Sequence, residues 1–310
     1  MNAFAYLVRR ETWEHKALYR APIITGVALV SMVLLALVQQ AINGSLNRGM
    51  AEHGLTDDIL APHYLQLISP IIMYALIVLI FLVSTVVAIF YLLDCLYAER
   101  KNRSILFWKS LPISDAEAVF AKLAAATLLV PFVAIAAVVA GWITLQLIAA
   151  VTIGLLGGNG WLVLWQPATL FSGIAIAIES SAGFFLWLLP VAGWLLLVSA
   201  WARRLVFLWA VLPPAVIIFV EKWFFETRYF FDLLAERLFV LKLMVSDAAS
   251  SIDLVKRSMS GSTDVSVPEA INQMVSLTKL FSEPGLYGGI LVAAVFITGA
   301  IFLRRYRDET

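Results

Sequence analysis

The chain has 310 residues, 62% of them hydrophobic and only 14% charged, with a mean hydropathy of +0.91. Soluble domains are roughly half apolar and a quarter charged, so this composition excludes an ordinary soluble domain and describes an integral membrane protein. The net charge of +1 gives no general attraction to nucleic acid, and the single cysteine, Cys95, excludes an internal disulfide or a cysteine-built metal cage.

The first segment, NAFAYLVRRETWEHKALYR, is moderately helical, ends at Pro22 and is expected to lie along the membrane surface. It contains Glu11 and Glu14, and no small-residue cleavage site follows the first apolar run, so Ala21–Val38 is read as an uncleaved anchor. A spanning helix needs about 20 mostly apolar residues. Six stretches qualify, at approximately 22–41, 69–93, 122–151, 182–201, 205–223 and 286–303. Trp201, Trp223 and Tyr306 stand near span ends, as in an interfacial aromatic belt.

Basic residues fix the expected orientation. With both termini in the cytoplasm, Arg9, Arg10, Lys16 and Arg20 precede span 1 on the inside. The same choice places Arg100, Lys101, Arg103, Lys109 and Lys122 between spans 2 and 3, and Arg203 and Arg204 between spans 4 and 5. Arg304, Arg305 and Arg307 then close the chain on that side, while the short outer loop before span 2 carries only Arg48. A charge-free run at Trp161–Ile178 would upset this count as a seventh span and is interrupted by Gln166–Pro167. It is therefore expected as a re-entrant or interfacial helix outside. Residues 224–285 form an extracytoplasmic insertion, helical over FFDLLAERLFVLKLM and again over VPEAINQMVSLTKLF, with a polar loop between. It is too charged to span, through Asp232, Glu236, Arg237 and Lys242.

The loop ERKNRSILFWKSLPISD, Glu99–Asp115, is unlike its surroundings. Pro112 disfavours helix at Leu111, which predicts a separate short helix from about Tyr97 to Ser110. Ser114 and Glu117 have capping-box spacing, and Asp115 in the first turn suits the helix dipole, so a new helix begins there. From Ser114 to Val151 it would be ~55 Å long against ~30 Å of hydrocarbon. Such a helix stands proud of the membrane or bends, and Pro131 is the place for a bend. The tetrad Ile105, Leu106, Phe107 and Trp108 has two readings: it lies in the lipid interface, or it inserts into a groove on a soluble partner.

The span interiors contain no Asp, Glu, Lys, Arg or His, which argues against a proton-coupled carrier. The three histidines, His15, His53 and His63, lie outside the apolar runs. No H-E-x-x-H zinc motif is present, and the serines of ESSAG have no histidine within the bilayer. Asp94 and Glu179 are read as solvated carboxylates at span ends. A phosphate-cradling G-x-x-x-x-G-K-[ST] is also absent. The chain is thus expected to be no enzyme and to need an energised partner if it transports.

The order of features resembles the ABC type-2, exporter-class permeases: an N-terminal interfacial helix, six spans, and a basic-aromatic helix between spans 2 and 3. The runs ERKNRSILFWKSLPISD and SAWARR resemble those of the bacterial subgroup whose ATPase is a separate subunit. The resemblance implies an all-α membrane fold and a bacterial inner-membrane location. It implies two permeases working with two cytoplasmic ATPase subunits, which bind the ATP and Mg; no cofactor belongs to this chain. It further implies that Glu99–Leu111 is the coupling helix, with Glu99, Arg100, Arg103, Phe107, Trp108 and Lys109 as the contact residues. The outer 224–285 segment is longer than the compact exit loop common in that family. The ladder Gly285, Gly289, Ala293 in span 6 suits packing within one chain, or between two permeases. The alternative to transport is a membrane scaffold or sensor that recruits a cytoplasmic complex through the same loop.

Overall fold

A computed structural model describes residues 3–43, 62–110, 113–155, 161, 164–165, 167–238 and 281–306. These residues are almost all helical, with no sheet among them. In chain order they form α1 (Ala3–Glu14), α2 (Ala17–Ile42), α3 (Pro62–Lys101), α4 (Ser104–Lys109) and α5 (Asp115–Leu155). There follow α6 (Pro167–Trp201), α7 (Val206–Val220, extended by a π turn at Glu221–Phe225), α8 (Tyr229–Leu238) and α9 (Pro284–Tyr306). Six of them, α2, α3, α5, α6, α7 and α9, are long and apolar enough to cross a membrane.

Prolines begin three of these helices, Pro62, Pro167 and Pro284, where a missing N–H has no intrahelical partner to lose. Some hydroxyls inside the apolar runs are satisfied within their own helix, while Ser199 accepts across helices from the N–H groups of Leu96 and Tyr97. Ser84 donates to the Ile80 carbonyl at 2.6 Å and Thr85 to that of Phe81 at 2.7 Å, as a low-dielectric surrounding demands. The core lies where α3, α5, α6 and α9 meet, around Phe81, Trp142, Phe184 and Leu196, all essentially inaccessible. Phe81 and Phe184 meet edge to face at 5.5 Å. Helix α2 packs on α3 and α5, whereas α7 touches the bundle lightly and leaves most of its apolar surface outward.

Several sequence expectations are refined by this arrangement. The short helix of the basic loop is shorter than expected: Tyr97–Lys101 is the last turn of α3, and only Ser104–Lys109 is separate. Nothing in Tyr97–Lys101 stops a helix. The break falls at Arg103, which takes a left-handed φ of 56° and turns the chain. Leu111 and Pro112 lie outside the described residues. At Ser114 the capping box is complete: its hydroxyl accepts from the Glu117 N–H at 3.1 Å, and the Glu117 carboxylate accepts from the Ser114 N–H at 2.9 Å. The irregularity expected near Pro131 is a π segment at Ala125–Leu129, immediately before it. The Val130 N–H reaches back five residues to the Ala125 carbonyl, and Pro131 has no N–H to offer Thr127.

The separate outer helix expected over Trp161–Ile178 is a correction. From Pro167 onward the chain belongs to one continuous 35-residue helix, α6, whose last part is span 4. Pro167 starts this helix, because proline is favoured in the first turn and disfavoured only deeper inside. Of the 224–285 insertion, α8 is described, while residues 239–280, including the expected second helix, lie outside the described residues. The ladder of span 6 packs within the chain. Gly289 and Ala293 are buried, and a Cβ on Gly193 of α6 would stand 3.1 Å from the Ala293 carbonyl, so α6 and α9 approach backbone to backbone.

Candidate functional site

The ends of α3 and α9 and the start of α5 converge at one end of the bundle, and α1 lies across them. This basic end brings together charged residues from four elements far apart in sequence. Lys122, about two turns into α5, is buried, with its Nζ 2.9 Å from Glu11 of α1 and 3.0 Å from Glu99 of α3. The second oxygen of Glu99 accepts from Arg304 of α9 at 2.5 Å, and Arg304 Nε donates to Asp115 of α5 at 3.1 Å. Tyr91 of α3 donates to the other oxygen of Glu11 at 2.7 Å. Arg10 completes the set, 3.8 Å from Glu99, bonded through Nε and Nη2 to Glu14 at 2.6 and 2.9 Å.

The carboxylates of Glu11, Glu14, Glu99 and Asp115 thus face Arg10, Lys122 and Arg304, four acids to three cations, with Glu14 at the exposed edge of the set. Buried ions are tolerated only when paired and hydrogen-bonded, since the desolvation cost is several kcal/mol per ion. The bonds made by Lys122, Arg304 and Tyr91 each tie two helices together, and removing Lys122 leaves the buried Glu11 without the cation at 2.9 Å.

The short helix α4 is mounted on this junction. The Arg10 guanidinium covers the face of Trp108, with its carbon 3.3 Å from the ring centroid, and Trp108 meets Phe107 edge to face at 5.1 Å. Ile105 is buried against the bundle, while Phe107 points away from it and is 60% exposed. A cavity of about 100 Å³ lies between Trp108, Asp115 and the ion network, polar enough to hold water.

The six sequence-predicted contact residues fall into distinct positions. Glu99 is buried inside the junction and faces no exposed surface. Arg100 turns toward α6, where its Nη2 donates to the Ser199 and Ala202 carbonyls at 2.5 and 2.8 Å, capping the end of that helix. Arg103 is exposed at the left-handed turn, Phe107 is exposed, and Trp108 is half-buried under Arg10. Lys109 is the last residue of α4, and its side chain lies outside the described residues, as does that of Leu106. Sequence reasoning missed Glu11, Lys122, Arg304, Asp115 and Tyr91 as a unit. One signal was available: a lysine inside an apolar run requires a buried acid, and Glu11 and Glu99 are the candidates nearest the same membrane face.

Glu11, Glu14 and His15 place ligand atoms within 4.8 Å of one another. Both carboxylates already carry a cation, Lys122 on Glu11 and Arg10 on Glu14, so this group is read as part of the ion network and not as a metal centre. No protein-family model, no curated protein and no solved structure matches this chain. Its function is therefore argued from its own geometry.

Proposed function

We propose that this chain is the transmembrane permease subunit of an ATP-driven exporter, in which α4 is the coupling helix contacted by a separate cytoplasmic ATPase. The observation that carries the reading is the mounting of α4. A short helix exposes one large aromatic, Phe107, flanked by exposed Lys101 and Arg103, and its root is an ion network spanning α1, α3, α5 and α9. A helix held only in the lipid interface needs no such attachment. Force applied at Phe107 reaches Trp108, then Arg10 and Glu99, then the ends of three spanning helices, because buried ion pairs resist sliding. The chain itself does no covalent chemistry in this reading. It works as a pair of permeases in a bacterial inner membrane, with both termini in the cytoplasm and the ATP and Mg on the partner.

The test is to purify the tagged chain from its native cell in mild detergent and identify stoichiometric partners, with Phe107→Asp in parallel. The Phe107 side chain makes no hydrogen bond or ion pair, so its substitution leaves the ion network intact. Trp108→Asp would instead set a new carboxylate against Arg10. The expected result is a co-purifying protein with a Walker sequence, lost in Phe107→Asp while the permease remains folded. Recovery of a cytoplasmic complex without an ATPase, and without ATP-dependent movement of any solute in proteoliposomes, would establish the scaffold or sensor in its place.

A further inference from the structure

Every acid of the ion network has a cation within 3.1 Å: Glu11, Glu14, Glu99 and Asp115 are all paired. Asp94 of α3, close by, is exposed and has neither an ion pair nor a hydrogen bond among the described residues. It stands seven residues before Lys101, about 10 Å along the helix axis from the end of α3 and one residue past the expected end of span 2. An exposed carboxylate beside apolar surface at a span end is open to a cationic partner.

What surrounds Asp94 specifies that partner. Its carboxylate borders a groove of about 540 Å³ between the α1–α2 junction, α3 and the start of α7, a volume suited to a small organic ligand. Aromatic rings make up much of the wall: Phe90, Tyr91, Tyr97 and Phe207, with His15 at the edge. Phe90 and Phe207 are about three-fifths exposed and face outward. No lysine or arginine lines the groove, so the phosphate of a zwitterionic lipid would find no cationic partner there. Aromatic faces beside one carboxylate form the set that recognises an organic cation, through cation–π attraction and a single ion pair.

We propose that this groove is a binding site for an amphiphilic organic monocation, its charge delocalised or quaternary, with the charged centre on Asp94 and its apolar body against Phe90, Tyr97 and Phe207. The site stands whether or not the chain is an exporter. If it is one, the groove is where cargo is taken from the leaflet at the basic end.

The test uses tetraphenylphosphonium as the probe and tetraphenylborate, of the same shape and opposite charge, as its control. Equilibrium dialysis is run on the full chain in nanodiscs of phosphatidylcholine, without nucleotide or partner. The expected result is saturable phosphonium binding, weakened roughly tenfold or more by Asp94→Asn and retained within a few-fold by Asp94→Glu. Phe207→Ala, remote from the ion network, weakens it independently. Tetraphenylborate shows no binding that responds to Asp94→Asn. Absence of saturable phosphonium binding, or binding indifferent to both Asp94→Asn and Phe207→Ala, overturns the site. Binding present in detergent but abolished in phosphatidylcholine discs also overturns it, since the groove would then belong to lipid ammonium groups. Because no ATPase enters the measurement, its failure and the failure of the exporter reading are separately visible.

Discussion

The two ends of the bundle are held by opposite electrostatic strategies. At the basic end, acids and bases of four elements pair with one another. At the opposite end a single cation, Arg237 of α8, enters between α6 and α9. Its Nη1 donates to the Trp187 carbonyl at 3.1 Å and its Nη2 to the Gly285 carbonyl, and its guanidinium lies 4.0 Å from the Trp187 ring centroid. Trp187 answers by donating its indole N–H to the Glu236 carbonyl at 2.9 Å. Arg237 pairs with no carboxylate among the described residues. Burial lowers its pKa from the ordinary value, with the charge of Glu236 opposing that shift. The difference lies in what a disturbance leaves behind. Breaking the first end strands bare charges in the protein, while breaking the second exposes only neutral carbonyls, which helix bonds already serve.

That contrast orders the expected effects of substitution. Lys122→Met is the most damaging, because Glu11 loses its closest cation and Glu99, which keeps Arg304, loses another. About 3–5 kcal/mol of stability should go, read as a lowered midpoint in detergent unfolding. Arg237→Met should cost less, about 1–3 kcal/mol, since it forfeits charge-assisted hydrogen bonds but leaves no charge unpaired. A cost equal to that of Lys122→Met would break the comparison.

Glycine substitutions sharpen it further. Gly193→Ala puts a Cβ 3.1 Å from the Ala293 backbone carbonyl and should cost about 1–3 kcal/mol. Gly289→Ala meets the guanidinium end of the Arg237 side chain, at 2.8 Å, and not backbone. Its cost should disappear in the Arg237→Met background, where the helix preference for alanine, about 1 kcal/mol, takes over. A double-mutant cycle on thermal midpoints measures that coupling. The smallest effect belongs to Ser114→Ala, which removes the capping box from α5 and should cost about 1 kcal/mol without altering the ion network.

The spans were legible because hydrocarbon thickness imposes one length and one composition, and all six expected stretches lie within spanning helices. The start of α5 was equally legible, since a capping box is a local bond between Ser114 and Glu117. Where the sequence misled, the deciding interaction was long-range or lay in a single backbone angle. Glu11 and Lys122 are 111 residues apart, and Glu99 and Arg304 205 apart, so no spacing rule reveals either pair. Glu11 counted only against a cleaved leader, and the buried role of Glu99 was hidden because an acid amid basic residues looks exposed. The turn at Arg103 escaped because arginine has no preference for a left-handed backbone. Asp94, read as a solvated carboxylate at a span end, is exposed, and what the sequence does not show is the aromatic groove it borders.

The π segment of α5 sets the angular phase between the two halves of that helix. A five-residue hydrogen-bonded turn at Ala125–Leu129 accommodates about one residue more than an α-helical turn would. At 3.6 residues per turn, one residue is about 100° of rotation. Lys122 precedes the segment and faces Glu11 and Glu99, while Ala134, Val138 and Trp142 follow it and face the core. In an uninterrupted α-helix these two sets could not both point where they do. The segment acts as an indexing joint: deleting a single residue within it would turn Lys122 about a quarter of a revolution away from its acids while every apolar residue beyond kept its place.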